Sequence, residues 1–180
     1  IMIGICALWL LGAWLIDRDR PAEASDIAWS LFFFWGIRGR ATEGLWWYDQ
    51  ILDRPALPPA VECRALLGAA AMRYTQGDLA HVRTTLTRAL ALACETGDMV
   101  MVARAENLLG DIEHSLGNSD AAREHFARGI EGFRALELPW GLGNSLTGMA
   151  AVVLATGDPA HAECLLEEAT SVLRHAAPWF

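Results

Sequence analysis

Between Ala122 and Phe133 the apolar and small residues return with the spacing of one helical face. Ala122, Phe126, Gly129, Ile130 and Phe133 form a stripe, and Arg123, Glu124, Arg128, Glu131 and Arg134 fall off it. The same order of residue classes recurs one period away on both sides. Val82, Ala122 and Ala162 fall together, as do Leu86, Phe126 and Leu166, then Ala89, Gly129 and Ala169, and upstream Ala70, Gly110 and Ala150. The steps Gly77-Asp78, Gly117-Asn118 and Gly157-Asp158 share this 40-residue interval without gaps. A fixed period of that size marks an array in which each unit buries its apolar face on its neighbours. No window alternates with period two over a strand length. The expected fold is therefore all-α, an α-solenoid of antiparallel helix pairs.

The punctuation sets the elements. In the first regular repeat the pattern predicts a helix over Val61–Gln76, a turn at Gly77-Asp78 and a helix over Leu79–Glu95, ended by Thr96-Gly97-Asp98. Glycine supplies the left-handed stop, and aspartate accepts from the free amides of the next helix. At Gly157-Asp158-Pro159 a stop, an N-cap and a first-turn proline follow one another. A degenerate pair precedes these repeats, over Asp26–Ile37 and Ala41–Leu52 with Gly39 between. The connector Asp53–Pro59 holds prolines that bar a continuous helix. The aromatic runs in this pair, Phe32-Phe33-Phe34-Trp35 and Trp46-Trp47-Tyr48, read as core rather than as a ligand cage. The organisation expected is a junction helix over 1–25, the degenerate repeat and connector over 26–59, and repeats over 60–98, 99–138 and 139–178.

Residues Ile1–Ile16 carry no charge and admit two readings, a buried helix or an apolar anchor. The run falls just short of the roughly 17–25 residues that span a bilayer. Gly4 and Gly12 interrupt it, no basic segment precedes it, and the flank Asp17-Arg18-Asp19-Arg20 is charge-balanced. The buried helix is preferred. A chain that starts at Ile1 is expected to be a fragment or a processed product. The closing Pro178-Trp179-Phe180 resembles the repeat start at Pro139-Trp140, so further repeats or self-association are expected.

Composition narrows the function. The chain has 180 residues, 53% of them hydrophobic and 20% charged, which excludes disorder. Its net charge is −8 and its cations are all arginine, so direct contact with a nucleic-acid backbone is not expected. Cys6, Cys63, Cys94 and Cys164 are scattered and read as small buried thiols of a reducing cytoplasm. There is no P-loop, HExxH or GxSxG, and Asp111 with His114 supplies only two metal ligands. His81 and His161, alike in two repeats, read as exposed residues just after the turn. The expectation is no cofactor, no metal and no enzymatic activity.

The order small, glycine, small, large, small is met by Ala70, Gly77, Val82, Leu86 and Ala89. It is met again by Gly110, Gly117, Ala122, Phe126 and Gly129, and by Ala150, Gly157, Ala162, Leu166 and Ala169. It resembles the tetratricopeptide repeat, whose usual length is about 34 residues, and the resemblance implies a right-handed α-solenoid. This chain departs from that repeat in its period. Arg73, Glu113 and Val153 stand where a tyrosine is usual, and Cys94, Arg134 and Arg174 stand where a proline is usual. The phrases ALALACETGD, AENLLGDIEHSLGN and LPWGLGNSLTGMAAVVLATGD are similar to the repeat arms of large bacterial regulators, as is the stretch Trp14–Leu52. In that family a signal-transduction ATPase module precedes the arm, and a LuxR-type or winged-helix DNA-binding domain, and sometimes a cyclase domain, completes the chain.

The resemblance implies a groove lined by the first helix of each pair. Its residues would be Arg64, Leu67, Ala71 and Tyr74, then Arg104, Asn107, Asp111 and His114, then Asn144, Thr147, Ala151 and Leu154. It implies a non-catalytic sensor or interaction arm of a larger cytoplasmic transcriptional regulator. The partners would be a protein, peptide or small effector in the groove, together with adjoining domains of the same chain. The competing reading is a free-standing, membrane-anchored adaptor of the same repeat type.

Overall fold

The computed structural model of the chain describes residues 10–12, 14–16, 18 and 20–176, the Phe33 side chain aside. Its described helices are α1 (Pro21–Ile37), α2 (Ala41–Leu52), α3 (Pro59–Tyr74), α4 (Leu79–Thr96), α5 (Met99–Ser115), α6 (Ser119–Ala135), α7 (Pro139–Ala155) and α8 (Pro159–Ala176). Residues 10–12 and 14–16 are also helical.

Two starts differ from the sequence expectation for one reason. Helix α1 begins at Pro21 rather than Asp26, and α3 begins at Pro59 rather than Val61. A proline in the first turn lacks only an amide that no helical carbonyl would have bonded, so it opens a helix instead of delaying it.

The turns show how the period is built. Gly97, Gly117 and Gly157 adopt left-handed backbone, with φ of +68°, +82° and +90°. After each, an amide reaches back to close the helix: Asp98 to the Ala93 carbonyl at 3.0 Å, Asn118 to Glu113 at 2.8 Å, Asp158 to Val153 at 3.2 Å. Asp98 and Asp158 then cap the next helix, each accepting at 3.1 Å from the amides of Met101 and His161. Glu137 falls one period after Gly97 and keeps the same left-handed conformation, at φ 54°.

The chain divides within α4 into two compact units, residues 1–92 and 93–180. In the first, α1, α2 and α3 pack on one another around an aromatic core. Trp35, Trp47 and Tyr48 are fully buried, with Leu31, Ile51, Ala65, Ala69 and Met72 in the same cluster. Trp35 meets Trp47 at 6.3 Å between centroids and Tyr48 edge-on at 6.0 Å. Gly68 makes the fit possible, since a Cβ there would lie 2.2 Å from the Tyr48 ring. The Tyr48 hydroxyl donates to the Ala28 carbonyl at 3.2 Å, and burial raises its pKa. Of the described residues in the aromatic runs, Trp35, Trp47 and Tyr48 are core, as expected, Phe32 and Phe34 are partly buried against them, and Trp46 is 45% exposed. Arg73 of α3 pairs with Asp49 of α2 at 2.8 Å.

In the second unit α6 packs on both α5 and α7, and α8 packs on α7. Phe126 of α6, fully buried, sits between two glycines. A Cβ on Gly110 of α5 would lie 2.8 Å from its ring, and one on Gly148 of α7 would lie 2.4 Å from it. Glycine here lets three helices approach across one phenyl ring. Ala103, Ile130, Phe133, Leu142, Leu146 and Ala169 continue the core.

The cysteines need a correction. Cys63 is buried and its thiol donates to the Ala89 carbonyl at 3.3 Å, but Cys94 and Cys164 are exposed. Cys94 directly follows Ala93, which ends the buried stripe Val82, Leu86, Ala89 and Ala93, so it turns outward. Among the described residues no helix is long and apolar enough to cross a membrane. Most of residues 1–16, and with them the junction-helix and anchor readings, lie outside the described residues.

Candidate functional site

The expected groove residues of the first unit offer little free surface. Arg64 of α3 is committed to an ion pair with Asp26 of α1. Leu67 is only 1% exposed and Ala71 only 8%, so both are core rather than lining. Alanines and a glycine dominate α3 from Ala65 to Ala71; such small side chains draw neighbours close and leave Leu67 covered. Tyr74, at the end of the helix, is half-buried.

The second unit is different. Arg104, Asn107, Asp111 and His114 follow at steps of three and four along α5, which puts them on one face. All four are half-buried. On α7, Asn144, Thr147, Ala151 and Leu154 are exposed. The Asn107 carbonyl accepts from the Ser145 hydroxyl at 2.6 Å, which links α5 to α7. With its carbonyl engaged, the amide still has its NH₂ group to offer as a donor. The Thr147 hydroxyl is engaged locally, donating to the Gly143 carbonyl at 2.8 Å. Burial lowers the pKa of Arg104, and the nearby charge of Asp98 partly offsets this.

Asp111 is the distinctive member. Its side chain has no hydrogen-bond or ion-pair partner among the described residues, and burial pushes its carboxyl up to about 6. The strip thus runs from a guanidinium through a donor amide and an uncompensated carboxylate to an imidazole. Such a surface offers hydrogen bonds and negative charge to polar or cationic groups. Among the described residues no group of three or more His, Cys, Asp or Glu is placed to hold a metal ion.

A second polar cluster had not been expected. Glu106 of α5 is only 6% exposed, yet it carries a charge network. His125 Nδ1 lies 2.6 Å from one carboxylate oxygen, and Arg128 Nε donates to the other at 2.9 Å. Burial acts most strongly on Glu106 and would raise its pKa. The hydrogen bonds and charges of His125 and Arg128 together outweigh burial and hold it below the usual carboxylate value. The network ties α5 to α6. The signal for it lay in the period: Leu66, Glu106 and Leu146 share one position, as do Thr85, His125 and Leu165. An acid in a leucine register needs partners.

Residues 101–175 match the family model for the tetratricopeptide repeat, generally a protein-interaction module. Over 186 aligned positions the chain is 31% identical to proteins of Mycobacterium tuberculosis and Mycobacterium bovis named as HTH-type transcriptional regulators. That alignment takes in 93% of this chain and 21% of each relative, so the chain spans about a fifth of the length of the relatives it matches. Among solved structures, the apo form of RapI is similar with a TM-score of 0.73 at 10% identity, covering 97% of this chain and 72% of that one. MamA is similar with a TM-score of 0.60 at 14% identity, covering 93% and 97%. BtubC from P. vanneervenii is similar with a TM-score of 0.56 at 16% identity, covering 98% and 89%. These likenesses concern the fold, that of the α-solenoid class built from helix pairs.

Proposed function

We propose that the chain is a non-catalytic ligand-binding arm of a larger cytoplasmic transcriptional regulator, and that α5 and α7 present its recognition surface. The observation that carries the reading is Asp111. A half-buried carboxylate without a counter-charge costs stability and is retained where a ligand supplies the missing cation or donor. Asn107, held by Ser145, and His114 stand on either side of it along α5. The ligand is a peptide segment or small effector that presents a cationic group to Asp111. The naming of the longer relatives supports the regulator setting. In that setting an ATPase module and a LuxR-type or winged-helix DNA-binding domain flank the arm in the same polypeptide. Ligand binding biases the arm between arrangements that those modules read.

Two experiments test this. Fluorescence anisotropy with a panel of short lysine- and arginine-containing peptides, and acidic peptides as controls, measures the surface. Binding of basic peptides that weakens tenfold or more in Asp111→Asn supports the assignment; binding unaffected by that change, or confined to acidic peptides, overturns it. An immunoblot of host fractions measures the setting. A soluble band several times 19.7 kDa is expected, and a membrane-bound band near 19.7 kDa refutes the regulator reading.

A further inference from the structure

A groove of about 480 Å³ runs along α8 beside the end of α7, with Leu154, Ala162, Leu166 and Thr170 in its lining together with the charged Glu163 and Arg174. It is an apolar face without a cover among the described residues. Leu154 is 57% exposed and Leu166 44%. The repeat itself shows what belongs there. Leu166 holds the place that Phe126 holds one period earlier, and Ala162 holds the place of Ala122. On α6 that face is fully covered: Gly148 of α7 lies flat against the Phe126 ring, and Val152 clusters with Ala122 and Phe126.

The charges follow the same shift. Arg134 of α6 pairs across the repeat with Glu168 of α8 at 2.6 Å, and Arg123 donates to the Thr156 hydroxyl just after α7. Their counterparts one period on are Arg174 and Glu163, both in the groove lining, and neither has a side-chain partner among the described residues.

We propose that this groove is the docking surface for a further helix pair of the same repeat type. Its occupant is defined by the α6–α7–α8 contacts moved on by one repeat. Its first helix carries a glycine or alanine opposite Leu166 and a β-branched residue one turn later, as Gly148 and Val152 do for Phe126. A hydrogen-bond donor at the end of that helix meets Glu163. An acid on its second helix meets Arg174. A second copy of the chain docked α8 to α8 fits poorly. A twofold contact would set Glu163 and Glu167 of one copy against the same acids of the other, and Leu166 would meet leucine instead of a small residue.

The chain's own third repeat meets every requirement, so it serves as the probe. In an extended chain a copy of residues 139–176 begins at position 179, which preserves the 40-residue period. Thermal unfolding of the extended and the original chain is compared by circular dichroism, each with and without Leu166→Glu. The extension should raise Tm by about 5 °C, Leu166→Glu should abolish that rise, and the same change should move the original chain by no more than about 1 °C. Backbone amides of α8 should gain hydrogen-exchange protection only in the extended chain without the substitution. No rise in Tm, or an equal loss from Leu166→Glu in both chains, overturns the proposal. So does a concentration-dependent dimer of the original chain that Leu166→Glu dissociates, because the occupant is then a second copy.

Discussion

Replacing Asp111 with asparagine should stabilise the fold while removing a ligand contact. The change keeps the shape of the side chain and removes the charge that burial disfavours. A tenfold change in proton affinity is worth about 1.4 kcal/mol. A carboxyl raised from 3.8 to about 6 therefore weakens the folded state by about 3 kcal/mol at neutral pH. Asp111 is half-buried rather than sealed, and water screens part of that cost, so about 1–2 kcal/mol is the expected gain. The sign with pH follows from the direction of the shift. The folded-state value is raised, so the protonated form carries full stability at low pH, and that stability is lost as pH rises through about 6. Urea unfolding of parent and variant should show the gain at neutral pH, and it should shrink to about 0.5 kcal/mol near pH 4, where the folded parent is itself neutral. A variant less stable than the parent, or a difference equal at both pH values, would mean that the carboxylate has a favourable partner. Asp111 would then need no cationic ligand.

Further outcomes are expected from urea unfolding of single and paired variants. Glu106→Ala should cost about 2–3 kcal/mol, because it strands His125 and Arg128. The pair Glu106→Leu and His125→Leu rebuilds the Leu146 and Leu165 contact of the next repeat and should be neutral or stabilising by up to about 2 kcal/mol. Glu106 is held below 4.5, so its contribution is present above that value and is lost as pH falls, and the paired variant should lose less stability in acid than the parent. Glu137→Gly should stabilise by about 1 kcal/mol, since it relieves a left-handed glutamate at φ 54°. Gly148→Ala drives a Cβ to 2.4 Å from the Phe126 ring and should cost about 1–3 kcal/mol, most of which Phe126→Leu in the same chain should restore.

The helix pairs were legible because the turns are written in glycine. Gly77, Gly117 and Gly157 have φ of +84°, +82° and +90°, a conformation that other residues rarely adopt, so each is a punctuation mark with a physical cause. The stripe Ala122, Phe126, Gly129, Ile130 and Phe133 is buried as its spacing requires. Legibility failed where a residue type fits two environments. A cysteine among alanines reads as buried, yet helical phase turned Cys94 and Cys164 outward. Leu67 reads as the floor of a groove by position, yet it is covered. That Arg104, Asn107, Asp111 and His114 share one face of α5 could be read from spacing, but the Asn107–Ser145 bond and the burial of Asp111 depend on packing against other helices, which no spacing within α5 encodes.

The departures from the period also fall together. At the position of Glu106 the flanking repeats carry Leu66 and Leu146; at Asn107 they carry Leu67 and Thr147; at Asp111 they carry Ala71 and Ala151. A repeat stabilised by nearest-neighbour packing gains nothing from an acid in a leucine register or an unpaired carboxylate in an alanine register. The two burdens are of different kinds. Glu106 is compensated by His125 and Arg128 and joins α5 to α6, whereas Asp111 is left uncompensated on the face it shares with Asn107. Departures occur elsewhere, such as Glu137 at the position of Gly97, but these place two acids in apolar registers of one first helix, and such a cluster points to a demand other than folding. In this chain the helix is α5. On that helix Glu106 is bonded to His125 and Arg128 of α6, whereas Asp111 has no side-chain partner among the described residues, which is the asymmetry the proposed cationic ligand would resolve.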